Sequence, residues 1–256
     1  MSLFQSLRVR LAQGKQFIPD LRAATPTGFR GMPELKGTSC APNCDACVAA
    51  CPTGAIRVGS ADVPGSVSID LGRCIFCNEC VEACPEAKIA LTPNPRLGGT
   101  SREDLVITAG AEERTRIRAS EAFANIFGRS LKLRQVSAGG CNGCELELSA
   151  IGNVNFDVQR YGIEWVASPR HADGLVLSGT LTRTMRDAVR LAWDAMPEPR
   201  FVIAVGACAI SGGLYDGASG VERSFLDEVA PALYVPGCPT HPLAFVNAIL
   251  DLLGIA

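Results

Sequence analysis

The sequence predicts an α/β protein in two parts: a layered domain with a largely parallel sheet over 131–256, and a small cysteine-rich α+β module over 37–92 in front of it. Three observations carry this. Short apolar runs at 131–138 (LKLRQVSA), 172–179 (ADGLVLSG), 200–207 (RFVIAVGA) and 232–237 (ALYVPG) are interspersed with helically spaced stretches at 183–196 and 242–255, the alternation of a parallel sheet with crossover helices. Residues 40–56 (CAPNCDACVAACPTGAI) are echoed at 74–89 (CIFCNECVEACPEAKI), with a short β-rich stretch, SVSID, at 66–70 between the copies. A turn-rich break, TPNPRLGGTS, then opens a polar stretch read as a partly helical linker over 93–130 that wraps the second domain.

Residues 1–36 carry six Lys or Arg (Arg8, Arg10, Lys15, Arg22, Arg30, Lys36) against Asp20 and Glu34, and Pro19, Pro26 and Pro33 interrupt any long helix. They read as an extended, basic N-terminal extension, either a solvated tail or a segment that docks on a neighbouring subunit. The chain of 256 residues has a net charge of −2, which gives no argument for nucleic acid or an anionic surface as partner. No apolar run reaches the 18 or more residues of a membrane span, and the first residues lack the apolar core of a secretory signal, so a cytoplasmic location is expected. Twelve cysteines are too few for a disulfide scaffold, and in a reducing compartment they point to metal ligation.

Cys74, Cys77, Cys80 and Cys84, followed by Pro85, form the C-x2-C-x2-C-x3-C-P run of two-cluster bacterial ferredoxins. In that arrangement three closely spaced thiolates wrap one cube and the fourth ligates the other. The expected ligand sets are therefore Cys40, Cys44, Cys47 and Cys84 for cluster 1, and Cys74, Cys77, Cys80 and Cys51 for cluster 2. Zinc knuckles are the competing reading, disfavoured by the duplicated C-x3-C-P ending. The first group departs from the pattern: Pro42 and Asn43 help enlarge its first gap to C-x3-C, which a surface turn tolerates.

Four cysteines remain: Cys141, Cys144, Cys208 and Cys238. Each follows an expected strand, and ligands in open α/β sheets gather beyond the carboxyl ends of strands. Three neighbouring parallel strands would then bring all four thiolates to one edge for a third [4Fe-4S] cluster. Gly139, Gly140, Gly143, Gly206, Gly212, Gly213 and Gly237 flank them and would admit close backbone approach. A thioredoxin-like dithiol at 141–144 would leave the other two cysteines unexplained, and inert burial of Cys208 and Cys238 is the remaining alternative.

GGCNGCELE, VQRYGIEWVASPRHADGLVLSGTLTRTM, VGACAISGG and VPGCPTHP resemble the small subunit of energy-converting, formate hydrogenlyase-like [NiFe] hydrogenases, which is related to the 20 kDa subunit of respiratory complex I. Residues 28–90, including GFRGMP, resemble the two-cluster ferredoxin-like subunit of the same complexes. The resemblance implies a flavodoxin-like domain preceded by a ferredoxin-like one, three [4Fe-4S] clusters, and no nickel site in this chain. It also implies a separate [NiFe] large subunit, membrane-arm subunits, and an electron donor such as formate dehydrogenase, CO dehydrogenase or a ferredoxin. The complex would lie at the cytoplasmic face of the inner membrane. Glu147 matches an acidic position of the family motif and is a candidate proton relay; Glu145 carries less expectation. Among the other singular residues, His241 is a candidate for cluster tuning or an interface, His171 for a surface turn, Trp165 and Trp193 for packing under the sheet, and Arg170 and Arg183 for a partner-facing surface. The pattern departs from the family at SGTLT (178–182), where relatives often have proline in place of Thr180.

The expected function is an electron-transfer subunit of a hydrogenase complex performing 2H⁺ + 2e⁻ ⇌ H₂. A complex I-like quinone oxidoreductase arm is the second reading; its members typically have adjacent cysteines where Asn142 and Gly143 separate Cys141 from Cys144 here. A free polyferredoxin carrier would have no need of the 131–256 domain.

Overall fold

The computed structural model describes residues 2–14, 16–37, 39–59, 65–110 and 116–255; Lys15 of the basic extension lies outside them. The first helix, α1 (Leu3–Gln13), stands where an extended segment is expected. The prolines begin only after it, and a capping box holds its start: Gln5 N–H donates to Ser2 Oγ, and Ser2 N–H to Gln5 Oε1.

The cysteine-rich module follows with β1 (Pro33–Leu35), α2 (Ala46–Ala50), β2 (Ile56–Val58), β3 (Val67–Asp70), α3 (Glu79–Ala83), β4 (Ile89–Leu91) and β5 (Val106–Thr108). Strand β1 pairs antiparallel with β4, and β2-β3-β5 form a second antiparallel sheet. The internal repeat is visible in the two short helices, which pack on each other. Each carries the third cysteine of its group and ends on the fourth: Cys51 caps α2 and Cys84 caps α3, both in extended conformation. The proline that follows each of them excludes the helical region for the preceding residue, so the repeated Cys-Pro stops the helix and redirects the last thiol. Residues 103–108 add a 3-10 turn and β5 to this module; three residues are too short a run to betray a strand by alternation.

The larger domain contains α4 (Glu121–Phe127), β6 (Leu131–Ser137), α5 (Gly143–Ala150), β7 (Ile163–Trp165), β8 (Gly174–Ser178), α6 (Arg186–Asp194), β9 (Phe201–Val205), α7 (Gly206–Ser211), α8 (Ser224–Glu228), β10 (Leu233–Val235) and α9 (Pro242–Leu252). Its sheet runs β10-β9-β8-β6-β7, all parallel. Counted within the domain this is the order 2-1-3-4-5 of flavodoxin-like folds, with the switch point between the first and third strands. Strands β8 and β9 are buried throughout, as expected of central parallel strands covered on both faces. Helix α9 is apolar nearly all round and buried along its length. Its one buried amide, Asn247, donates to Leu21 O (3.0 Å) and Leu243 O (2.9 Å) and accepts from Arg22 (3.1 Å). Arg22 also pairs with Asp251, so the segment after α1 is strapped to the last helix. Trp165 stacks on Phe245 of α9 (6.0 Å), and Trp193 meets Phe225 edge-on (6.1 Å).

Several contacts join the modules. Gly72 lies where a Cβ would come within 2.2 Å of the Arg102 guanidinium and 2.7 Å of Ile210 in α7, so only glycine permits this approach. Arg73 pairs with Asp216 at 2.9 Å. Within the segment between them, Asp104 is buried and accepts from Ser101 N–H (2.9 Å), Thr100 Oγ1 (3.2 Å) and both arms of Arg118 (2.9 and 3.0 Å). Burial opposes its ionisation, but the hydrogen bonds outweigh burial and hold its carboxyl below the usual range. Asp104→Ala is expected to lower the unfolding free energy by about 2 kcal/mol, read by guanidinium titration at neutral pH under anaerobic conditions. Arg118→Gln, whose side chain is mostly exposed, should cost less.

Candidate metal centres

The twelve cysteines are all free thiols, and the electrostatic influences they exert on one another fall mostly within three groups, with two that cross between groups. Cys40 is acted on by Cys44 and Cys84, and Cys47 by Cys40 and Cys84. Cys74 is acted on by Cys80, Cys51 and Cys77, and Cys80 by Cys77 and Cys51. Cys144 is acted on by Cys208 and Cys238, and Cys208 by Cys238 and Cys141. The fold thus carries Cys84 across to the first loop and Cys51 across to the second. It also places Cys47 within reach of Cys80, and Cys77 within reach of Cys238.

Burial is the largest influence on most of these thiols, and repulsion from neighbouring thiolates adds to it. Together they push Cys74 up to about 12, and Cys80, Cys144 and Cys208 up to about 11. Four thiolates in such surroundings are unfavourable unless a cation or a cluster neutralises them, and the donor set is all sulfur, which suits iron–sulfur cubes. Backbone amides supply the hydrogen bonds that such sulfurs require: Ala55 N–H to Cys51 Sγ, Phe76 N–H to Cys74 Sγ and Lys88 N–H to Cys84 Sγ, each at 3.3 Å. The second set opens on a small apolar hollow of about 20 Å³ lined by Cys51, Cys74, Cys77 and Cys80 with Ile56, Ile69 and Phe76. Among the described residues no three His, Cys, Asp or Glu side chains converge tightly enough to hold a single ion.

The loops share one local device. In Cys77-Asn78-Glu79-Cys80 and Cys141-Asn142-Gly143-Cys144, the asparagine is left-handed (φ 81° and 70°) and caps the helix that carries the second cysteine. Asparagine tolerates this conformation better than most residues, and the turn swings both thiols to one side. In the enlarged first loop the left-handed asparagine is Asn43 (φ 60°), directly before Cys44, so the extra residue is absorbed in the turn. The recurring Cys-Asn pair is a sequence signal that spacing alone leaves unread.

The third set forms at the carboxyl edge of the parallel sheet. Cys141 and Cys144 follow β6, Cys208 lies in α7 after β9, and Cys238 follows β10. The strands are not three immediate neighbours as expected, because β8 lies between β6 and β9. It contributes a floor instead of a thiol: Ser178 Oγ donates to Glu145 (2.8 Å), Thr180 Oγ1 to Gly139 O (3.3 Å) and Thr182 Oγ1 to Ala138 O (3.1 Å). Thr180 thus ties the SGTLT turn to the glycine loop. Glu145, of which little was expected, is the carboxylate engaged at the switch point. Gly206 (φ 84°) is where a Cβ would come within 2.7 Å of Cys144 Sγ, so the start of α7 can abut the site only as glycine.

Between the second and third sets lies an open cleft of about 320 Å³, bounded by Phe29, Arg30, Cys77, Glu147, Cys238 and His241. Arg30 donates to Cys77 O (2.8 Å), and Phe29 packs on the His241 ring (4.9 Å), which gives the GFRGMP stretch a role that spacing does not reveal. His241 Nδ1 accepts from Leu243 N–H (3.1 Å) as the cap of α9, and burial keeps its imidazole below the ordinary range. Glu147 borders the cleft, and burial raises its carboxyl. His171 is exposed in a 3-10 turn. Arg183 bonds to Ser219 O, and no hydrogen bond or ion pair of the Arg170 guanidinium is found among the described residues.

All-sulfur donor groups of this kind are suited to iron–sulfur cubes. Residues 141–252 match the family described as NADH ubiquinone oxidoreductase, 20 Kd subunit, and residues 39–88 match the 4Fe-4S dicluster domain. The chain is 41% identical to formate hydrogenlyase subunit 7 of Escherichia coli over 128 residues, half of each chain. It is 36% identical to the probable membrane-bound hydrogenase subunit mbhJ of Pyrococcus furiosus over 129 residues, 50% of this chain and 77% of that one. To an NADH-quinone oxidoreductase subunit of Geotalea daltonii it is 44% identical over 110 residues, 43% of this chain and 64% of that one. The chain belongs to the 20 kDa NADH ubiquinone oxidoreductase subunit family and carries a 4Fe-4S dicluster domain in front of the family domain. It spans about half the length of the formate hydrogenlyase subunit.

In the metal-free chain, Cys144 and Cys208 should be alkylated at pH 8 more slowly than the exposed Cys141, because burial keeps them protonated; mass spectrometry after timed iodoacetamide treatment measures this. Raising the pH towards 11 should speed both.

Proposed function

We propose that this chain is the iron–sulfur electron-transfer subunit of a multisubunit [NiFe] hydrogenase, relaying electrons to or from a nickel–iron centre held by a separate large subunit. The observation that supports the reading is that the mutual electrostatic influences of the thiols fall mostly within three groups, with one influence linking each neighbouring pair of groups. The proposed ligands are Cys40, Cys44, Cys47 and Cys84; Cys74, Cys77, Cys80 and Cys51; and Cys141, Cys144, Cys208 and Cys238. When bound, each [4Fe-4S] cube supplies a one-electron carrier. The approach of Cys47 to Cys80, and of Cys77 to Cys238, supports an order of transfer from the first set through the second to the third. We assign 37–92 to the dicluster domain, 131–256 to the family domain, and 1–36 and 93–130 to an extension and a linker.

The third set has the character of a terminal, partner-facing site. Cys141 and Cys238 are exposed. Around them, Leu146 and Val154 beyond Cys144, and Leu214 and Tyr215 beyond Cys208, are exposed apolar side chains, the composition of a surface that another protein covers. We assign this surface to the large subunit. Glu147, half-buried beside Cys238 with its carboxyl raised by burial, is placed to exchange a proton across that interface. The relatives named as NADH-quinone oxidoreductase subunits support a second reading, a complex I-like peripheral arm. The separated Cys141 and Cys144 favour the hydrogenase branch.

Anaerobic isolation with metal analysis tests this. The chain should hold about 12 iron atoms and no nickel, and should capture a nickel-bearing companion that evolves H₂ with a low-potential donor. Cys208→Ser should lose about four iron atoms and abolish H₂ evolution while the other eight remain. Eight iron atoms in the unaltered chain would remove the third cluster from the proposal, and a nickel-free companion that reduces quinone would favour the second reading.

A further inference from the structure

Helix α1 buries none of its residues. An isolated helix of 11 residues is marginal in water, so its own capping box does not account for its persistence. Its side chains show what kind of surface would complete it. At about 100° per residue, Leu3, Leu7, Leu11 and Phe4 fall within an arc of about 100°. Three of the four are at least 75% exposed and Leu7 is 48% exposed. Arg10 and Arg8 sit on the two margins of this stripe, and Ser6, Val9, Gln13, Gln5 and Ala12 occupy the opposite side. The first acidic residue of the chain is Asp20, so nothing on the helix offsets the arginines.

We infer that α1 is an interfacial anchor that lies on an anionic lipid surface, with Phe4 and the three leucines in the acyl boundary and Arg8 and Arg10 among the headgroup phosphates. A narrow apolar stripe bordered by cations on both sides suits a medium that is apolar below and negative at its rim. At about 1.5 Å per residue the helix is about 16 Å long, half of what spanning a bilayer requires, so it lies in the plane. The link from helix to body is short. Gly14 ends the helix, and from Ile18 onward the chain is bound to the larger domain through Ile18 N–H to Asn155 O (2.9 Å), Arg160 to Ile18 O (3.0 Å), buried Leu21, and the Arg22 contacts with Asn247 and Asp251. A helix tethered this closely limits which side of the domain can approach the bilayer. The inference does not depend on the hydrogenase reading, since vesicle binding is measured without partner, substrate or turnover.

The test is co-sedimentation of the full chain, prepared anaerobically, with vesicles of phosphatidylcholine alone and of phosphatidylcholine mixed equally with phosphatidylglycerol. The chain should partition onto the mixed vesicles, and added salt should weaken it. Arg8→Gln and Arg10→Gln should each reduce partition about fivefold. Leu7→Gln and Leu11→Gln should each reduce it more than tenfold, whereas Val9→Gln on the opposite side should leave it unchanged. Because α1 buries nothing, the iron content of every variant should equal the parent's, which separates lost binding from lost folding. Failure of the full chain to sediment with the anionic vesicles would overturn the inference and leave a protein as the cover of the stripe. Equal losses from Val9→Gln and Leu7→Gln would overturn it as well, since adhesion would then be indifferent to the stripe.

Discussion

Thiolates repel one another, and burial makes the repulsion worse. This constraint organises the molecule. A set of four can persist in a half-buried site only where the backbone presses them together and a cluster neutralises them, so each set is built at a place where the chain cannot easily relax. In the module that place is a helix stopped by a proline. In the larger domain it is the carboxyl edge of a sheet whose two central strands are completely buried. The left-handed asparagines at 78 and 142 and the tight approach of Gly206 to Cys144 are the local adjustments that let rigid elements meet at sulfur.

The two parts are joined by more than the covalent chain. Gly72 against Arg102 and Ile210, Arg73 with Asp216, and Phe29 on the His241 ring hold the second set facing the third. The strand at 106–108 returns to the module after the chain has crossed toward the larger domain, since Gly99 pairs with Tyr234 of β10 on the way. The connecting segment therefore belongs to both parts, and the buried Asp104 ties Thr100 and Ser101 to Arg118.

The sequence conveys the architecture through the alternation of apolar runs and helical stretches, and it suggests a grouping of cysteines through two signals, spacing and position after strands. What it conceals has physical causes. Ile163–Trp165 and Val106–Thr108 are strands of three residues, too short for periodicity to register. The place of β8 between β6 and β9 depends on sheet order, which no local pattern encodes. The basic start of the chain forms a helix because its prolines come later than the first 13 residues, and the bonding of Glu145 to Ser178 depends on two distant loops sharing the switch point. Arg30 lies 47 residues before the carbonyl it bonds, a separation that only folding closes.

Joining the dicluster domain and the family domain in one polypeptide changes what kind of event their contact is. Between separate subunits, the meeting of the Cys77 and Cys238 loops would be an association, sensitive to dilution and to the supply of either partner. Here it is intramolecular, so the local concentration of one loop about the other is set by a tether of bounded reach and not by expression level. The closed fraction of the junction is therefore independent of protein concentration, and neither half need wait for the other to be found.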